Sequence, residues 1–435
     1  ATLTKSGEAG KYIAWQPAGD GDAVLTAHLG VAASYVWIEG LRFDQKSEFI
    51  GEGGTRKEFG GVRGKEHGHK DLVVTRCTFR NCRYALSNTD RSWNGDPKVL
   101  NTGWYFADNV VDGGPWTEYG LRMYLLADSD VCYNRMTTTL NKKGGDAISL
   151  RFSLNIDVYS NDIREIDDDG FEPDSAYGNI RIWRNRCVNP RYQGVSFQPM
   201  LCSPWYILRN EFVFALDSRC ATPFKTNVFD RIVCANNTFY VRGRYGQYRA
   251  DIMHRAVSRN NLWVHVYDNN AEKTNPTGAV WSGEGDQMRD GRYSIHGQTE
   301  PDWKTDVDYD GFAWDDNPLR GRHPSWWSGG KASRFTDLES FAKAKGIEQH
   351  GVRVDMDRLF EAADVIAYAN EPWSARRLTL HKDSKAIDAG APLPNLCETF
   401  QGKAPDLGAY EFGEQLPHYG PRPAPGPQAN GLAGN

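Results

Sequence analysis

Asn179-Ile180-Arg181-Ile182-Trp183-Arg184-Asn185-Arg186-Cys187 decides how this chain folds. Ile180 and Ile182 alternate with Arg181 and Trp183, which is the pattern of a half-buried strand. Asn185 then breaks the strand before a second short apolar segment. Moving outward, the same unit recurs at Asp108-Asn109-Val110-Val111, Tyr133-Asn134-Arg135-Met136 and Ser160-Asn161-Asp162-Ile163. It recurs again at Arg209-Asn210-Glu211-Phe212, Asn236-Asn237-Thr238-Phe239 and Arg259-Asn260-Asn261-Leu262. Counted on Asn109, Asn134, Asn161, Asn185, Asn210, Asn237 and Asn260, the steps are 25, 27, 24, 25, 27 and 23 residues. A period of this size, one polar turn residue per repeat and no helical periodicity predict an all-β chain coiled as a right-handed parallel β-helix. Stacked asparagines satisfy one another's amides along such an axis. A β-sandwich would instead show turn signals every 8–12 residues with no longer period.

The 435 residues fit one solenoid, because such a fold grows along one axis and uses length freely. The reading gives one β-helix domain over 1–416, with a loop-rich segment at 269–334 and a capping helix at 336–346. A Pro/Gly-rich tail at 417–435 reads as disordered or as a linker. The helix is expected from Thr336-Asp337-Leu338-Glu339 as a capping box, an apolar stripe of Leu338, Phe341 and Ala342, and Gly346 as its stop.

A net charge of −5 carries no basic face and argues against nucleic acid as a partner. No apolar run approaches the roughly 18 residues of a membrane span. The chain opens at Ala1 without a charged-then-apolar leader, so it reads as a mature monomer, secreted or periplasmic, whose export signal is gone. The eight cysteines form no metal-ligand spacing, and Cys77, Cys187 and Cys234 fall in strands as small interior residues. His67-Gly68-His69 lacks a third ligand nearby and reads as a loop or rim contact. The tryptophans Trp281, Trp303, Trp314, Trp326 and Trp327 are candidates for stacking on sugar rings or for covering a flank.

Chemistry concentrates on a second strand in each coil. Aligning Gly120-Leu121-Arg122-Met123-Tyr124 with its counterparts puts Leu121, Ile148, Phe171, Val195 and Phe224 inward. Met123, Leu150, Pro173, Phe197 and Thr226 follow them. Two outward columns remain: Arg122, Ser149, Glu172, Ser196, Lys225 and Tyr124, Arg151, Asp174, Gln198, Asn227. Gly120, Ala147, Gly170, Gly194 and Pro223 form a small-residue column beside them. The expected result is an open groove for an extended polysaccharide. Its substrate contacts are Arg122, Tyr124, Arg151, Ser149, Ser196, Gln198 and Asn227, and its cations favour an anionic glycan, sulfated or uronic.

Glu172 and Asp174, two positions apart on one strand, should stand about 6.5–7 Å apart. That leans toward the carboxylate separation of inverting glycoside hydrolases. The expected roles are Glu172 as general acid and Asp174 as general base, with Arg151 holding Asp174 ionised and no metal needed. A non-catalytic carbohydrate-binding solenoid would use the same groove without chemistry.

The coil period, Ala386-Ile387-Asp388-Ala389-Gly390 and Ala404-Pro405-Asp406-Leu407-Gly408-Ala409-Tyr410-Glu411 resemble secreted right-handed parallel β-helix enzymes of the pectin-lyase-like superfamily, which act on polysaccharides. Asp168-Asp169-Gly170-Phe171-Glu172 also resembles the DDGFD stretch of family 9 pectate lyases, with Glu172 in place of the last Asp. That resemblance implies a polysaccharide lyase in which Asp146, Asp168, Asp169 and Glu172 hold calcium. Lys225, in a Phe224-Lys225 segment like that family's GFK, would then be the base, two coils after the acids rather than about one.

Overall fold

The structure is a computed structural model. It describes residues 1–45, 60–88, 96–114, 117–138, 145–198, 200–215, 222–226, 228–242, 252–266, 306–314, 325–328, 331–335, 337–362, 364–371, 373 and 377–424. The chain winds as a parallel β-helix of three sheets, with nine strands in the first and twelve in each of the other two among the described residues. Each strand pairs in parallel with its counterpart one coil on: Leu121 with Ile148 in the first sheet, Ile180 with Trp205 in the second, Cys187 with Phe212 in the third. The interior is one continuous apolar stack. Phe43 lies on Phe79 at 4.9 Å between ring centroids, and Phe239 on Trp263 at 4.2 Å. Cys77, Cys187 and Cys234 are buried in it, and the seven described cysteines form no disulfide with one another.

The asparagines form an unbroken buried ladder. The Asn109 backbone N–H and side-chain amide donate to Asn134 Oδ1 at 3.0 and 3.1 Å. Asn134 does the same to Asn161, Asn161 to Asn185, Asn185 to Asn210 and Asn210 to Asn237. The last asparagine corrects the expectation. Asn261, not Asn260, accepts from Asn237, at a step of 24 residues. Asn260 occupies the preceding left-handed position at φ 59°, as Asp108, Tyr133, Ser160, Arg184, Arg209 and Asn236 do in their coils. That bend turns the chain from the second sheet into the third, and the ladder bonds hold a conformation that L residues otherwise disfavour.

The ladder also runs past the region where the sequence period fails. Asn261 donates to Asp310 Oδ1 across 49 residues, at 2.8 Å from its backbone and 3.1 Å from its amide. Strands Asp306–Asp308 and Gly311–Trp314 therefore add another coil inside the segment expected to be loops. Trp314 is buried there beneath Arg353, while Trp281, Trp303 and the side chains of Trp326 and Trp327 lie outside the described residues.

Helix α1 spans Leu338–Lys345 and buries Leu338, Phe341 and Ala342 before a left-handed Gly346. Its capping box is Asp337 with Ser340, one position from the expected pair; Thr336 lies outside the described residues. Helix α2, Val365–Asn370, has no counterpart in the sequence reading. The rest of the C-terminal segment runs back along the outer side of the third sheet. Leu359, Val365, Tyr368, Leu378, Leu380 and Leu407 pack there on Val188, Val213, Tyr240 and Val264. Over its described part, the stretch expected to be a disordered tail continues this path. Tyr419 is buried against Tyr410, the Gly420 N–H donates to Ser160 O at 2.9 Å, and Arg422 clasps Asp108 at 2.6 Å. Residues 425–435 lie outside the described residues.

Candidate active site and metal centre

The expected register of the first sheet holds. Arg122 pairs with Ser149, Ser149 with Glu172, and Ser196 with Lys225, while Tyr124 pairs with Arg151. Phe171, Val195, Phe197 and Phe224 point into the core. What changes is the cover. Glu172 and Asp174 are each only 6% exposed, and Ser149, Ser196 and Tyr124 are buried. The small-residue column is not a groove floor either. These residues turn the corner inward, where a Cβ on Gly170 would meet Cys187 Sγ at 2.7 Å. Asn227 lies outside the described residues.

The acidic run divides into parts with different partners. Asp167 is held by Arg191 at 2.6 Å and plays a structural part. Asp168 and Asp169 converge with Asp146 from the preceding coil, so that one carboxylate oxygen of each lies within 4.8 Å of the others. Backbone bonds position them: the Gln193 N–H donates to Asp169 Oδ1 at 2.9 Å, and the Asp169 N–H to Asp146 Oδ1 at 3.4 Å. Lys225, although two coils on, reaches Asp169 Oδ2 with its Nζ at 3.4 Å.

Glu172 and Asp174 do not flank an open space. Glu172 is in hydrogen-bonding contact with both Asp146 and Asp174. The roles expected of them also reverse. Arg151 pairs with Glu172 and is 4.0 Å from Asp174, whose Oδ1 instead accepts from Ser196 Oγ at 2.7 Å and the Gln198 N–H at 2.6 Å. Burial works against the Glu172 carboxylate. A hydrogen bond from Asp146 and the Arg151 guanidinium outweigh it, so Glu172 ionises below its ordinary value. Asp174 is pushed up to about 6 by burial and by the Glu172 charge. The strand ends at Glu172 and Asp174 lies in the turn beyond Pro173, so the i, i+2 spacing of an extended strand does not apply to this pair.

The remaining acids titrate as a set. Burial raises Asp168 to about 6 and Asp169 to about 8 against the pull of Lys225. Asp146 lies well above its ordinary value through burial and its hydrogen bond to Glu172. Five carboxyl groups, Asp146, Asp168, Asp169, Glu172 and Asp174, thus face two cations, Arg151 and Lys225. Buried charge left unbalanced on this scale is costly. The donor set is oxygen throughout, which suits a hard cation such as calcium, and the convergent Asp146, Asp168 and Asp169 fit one.

The sequence pattern singled out these acids and Tyr124 but not Tyr84 and Tyr119, which complete an aromatic wall beside them. Tyr119 packs against Gly145, where a Cβ would fall 1.8 Å from its ring. Tyr84, Tyr119 and Tyr124 surround Arg122. The signal available was Gly145 itself, next to Asp146. At His67-Gly68-His69 the His69 ring is 3.8 Å from Glu66, and among the described residues no third metal ligand joins them.

No family model matches the chain, and no curated protein matches it either. Among solved structures the chain is similar to pectate lyase Pel9A at 15% identity, over 95% of this chain and 82% of that one, with a TM-score of 0.40.

Proposed function

We propose that the chain is a calcium-dependent polysaccharide lyase that cleaves a uronate polymer by β-elimination. The observation that carries this reading is the meeting of three buried carboxylates, Asp146, Asp168 and Asp169, with the Lys225 amine 3.4 Å from one of them. Hydrolysis by a carboxylate pair needs its two groups about 5 Å apart or more, with sugar or water between them. Glu172 and Asp174 are instead in direct contact. The lyase reading uses both. Glu172, kept ionised by Arg151, adds a fourth oxygen ligand beside the three aspartates, and Asp174 is a positioning residue fixed by Ser196 and Gln198.

Bound calcium would neutralise the uronate carboxylate and acidify the proton on C5. Lys225 takes that proton. Burial pushes its amine toward the neutral form, while Asp169 and the neighbouring acids hold it protonated. Neutralising those acids leaves burial as the larger influence and frees the amine to act as a base. The C5–H electrons then form the C4–C5 double bond, and the C4–O bond breaks to release the leaving chain. A polymer of this size is met outside the cell membrane, so the proposal includes export.

Digestion of a panel of uronic and sulfated polysaccharides tests this, with reducing ends and the ultraviolet absorbance of the unsaturated product as readouts. Both signals should appear with calcium and vanish with EDTA. In Lys225→Ala, turnover should fall at least about 10²-fold, the scale for a lost general base. Reducing ends without unsaturation would return the site to hydrolysis. Binding without either signal would leave a carbohydrate-binding solenoid.

A further inference from the structure

Among the described residues Arg122 is a cation without an anion. Its side chain stands on the outward face of the first sheet, two rungs from Glu172, hence about 10 Å along the solenoid axis. The guanidinium is half-buried among three tyrosines, with its centre 5.7, 5.1 and 5.7 Å from the ring centroids of Tyr84, Tyr119 and Tyr124. Nε donates to Tyr124 Oη and Nη1 to Tyr84 Oη, both at 3.0 Å. Those two bonds fix its plane and bring no carboxylate to it. Among the described residues Arg122 has no ion pair, whereas Arg151 and Lys225 each have a carboxylate. The Nη2 group and the second Nη1 hydrogen have no partner there. They form one flat edge of the kind that meets a planar carboxylate with two parallel bonds.

We infer that Arg122, held by Tyr84 and Tyr124, is a carboxylate-reading subsite for a uronate residue about two sugars from the reacting one. This deepens the lyase reading and rests on it for where the reacting sugar sits. An extended pyranose polymer repeats close to the rung spacing, so a chain laid along the axis brings one ring to each rung. A uronate over the acid cluster then places the carboxylate of another over Arg122. Restraint matters to this assignment. A free arginine pays rotamer entropy on binding, whereas one clamped by two hydroxyls and three ring faces has lost it already.

Equilibrium binding with calcium present tests this, using the full-length chain in the Lys225→Ala background so that no polymer is cut. The ligands are polygalacturonate, polyglucuronate, their carboxyl-reduced forms, and dextran sulfate. Arg122→Gln should weaken binding of at least one polyuronate by about 10–100-fold, the range of a charge-assisted bidentate contact. It should leave the weaker binding of the reduced polymers unchanged. Tyr84→Phe, which keeps the cation and removes one restraint, should weaken binding several-fold with an unaltered circular dichroism spectrum, so a folding defect in Arg122→Gln does not decide the matter. Equal polyuronate affinity with and without Arg122 overturns the inference, even if the wild-type chain yields unsaturated product. So does an Arg122 dependence confined to dextran sulfate. Arg122-dependent polyuronate binding by a chain that makes no unsaturated product supports the subsite and removes the lyase reading instead.

Discussion

Asp146 stands where the buried carboxylates converge. Its carboxyl is buried, raised well above its ordinary value, and in contact with Glu172. Asp168 and Asp169 are likewise raised, to about 6 and about 8. A carboxyl whose folded pKa exceeds its unfolded value contributes stability that is full below the unfolded value, about 4, and is lost as pH rises through the folded one. The cation-free protein should therefore lose thermal stability between about pH 4 and about pH 8, and added calcium should raise the melting temperature most at the upper end. Asp146→Asn should raise the melting temperature of the calcium-free protein at neutral pH while shrinking the calcium-induced rise. An equal calcium effect at both ends of the window, or none, would count against the metal centre. The acidic run itself was legible in the sequence; its division of labour was not. Asp167 is taken by Arg191 from a neighbouring coil, and Arg151, whose register sets it opposite Asp174, reaches diagonally to Glu172 instead. Both outcomes depend on side-chain rotamers, on which strand alternation is silent.

At the scale of the element, the asparagine ladder was legible because its bonds need an amide at every coil. Each rung uses Oδ1 as an acceptor for the coil before and Nδ2 as a donor to backbone carbonyls, so few other side chains serve. Asn161→Ala should cost about 3 kcal/mol, since it strands the Asn134 N–H and the Val131 carbonyl inside the core. Asn155→Ala, at a half-buried outer corner where Asn155 holds φ 56° and meets Asp128, Asn179 and Arg181, should cost less, about 1 kcal/mol, in the same denaturation experiment. Spacing alone did not separate Asn260 from Asn261, because steps of 23 and 24 both fit the period. Nor did it reveal that the ladder passes from asparagines to acids, Asp310 and then Glu348, which accepts from the Asp310 N–H at 3.2 Å. Asp310 is required there because both of its oxygens accept: Oδ1 from Asn261, Oδ2 from Ser258 Oγ at 2.6 Å and from the Trp263 indole at 3.1 Å. Burial raises this carboxyl to about 6 in spite of those donors. By the same sign rule, its share of stability is full below about 4 and is lost as pH rises through about 6. Asp310→Asn should remove that part of the pH dependence. At neutral pH it should also destabilise by about 1–3 kcal/mol, because an NH₂ would face the Ser258 and Trp263 donors. Melting curves across pH for both proteins decide it.

For the whole molecule, the C-terminal segment is a strap that returns over the third sheet from the last coils to the coil of Asp108. The sequence concealed this because proline-rich composition signals a lack of regular structure, not a lack of contacts, and the strap is seated by single side chains. Arg422 bonds Asp108, whose side chain is almost wholly buried, and Tyr105 Oη, and lies over the Tyr133 ring. Arg422→Ala should destabilise by about 1–2 kcal/mol, a figure discounted for the partly exposed guanidinium. Its cost should grow as pH rises above the depressed Asp108 pKa, where the carboxylate is charged. An unchanged melting temperature would mean that the strap is held elsewhere. The 49-residue step from Asn261 to Asp310 has a different kind of consequence, since the ladder crosses it in the same register as a step of 24. Stacking order is thus separable from contour length: the axis records which coil follows which and is indifferent to how much polypeptide is spent between them. Such a scaffold accepts new sequence as a bookshelf accepts a thicker volume, so lineages could elaborate its rim without renegotiating its spine. Trimming the residues between Val266 and Asp306 to the length of a neighbouring coil should accordingly yield a chain that still melts as one body.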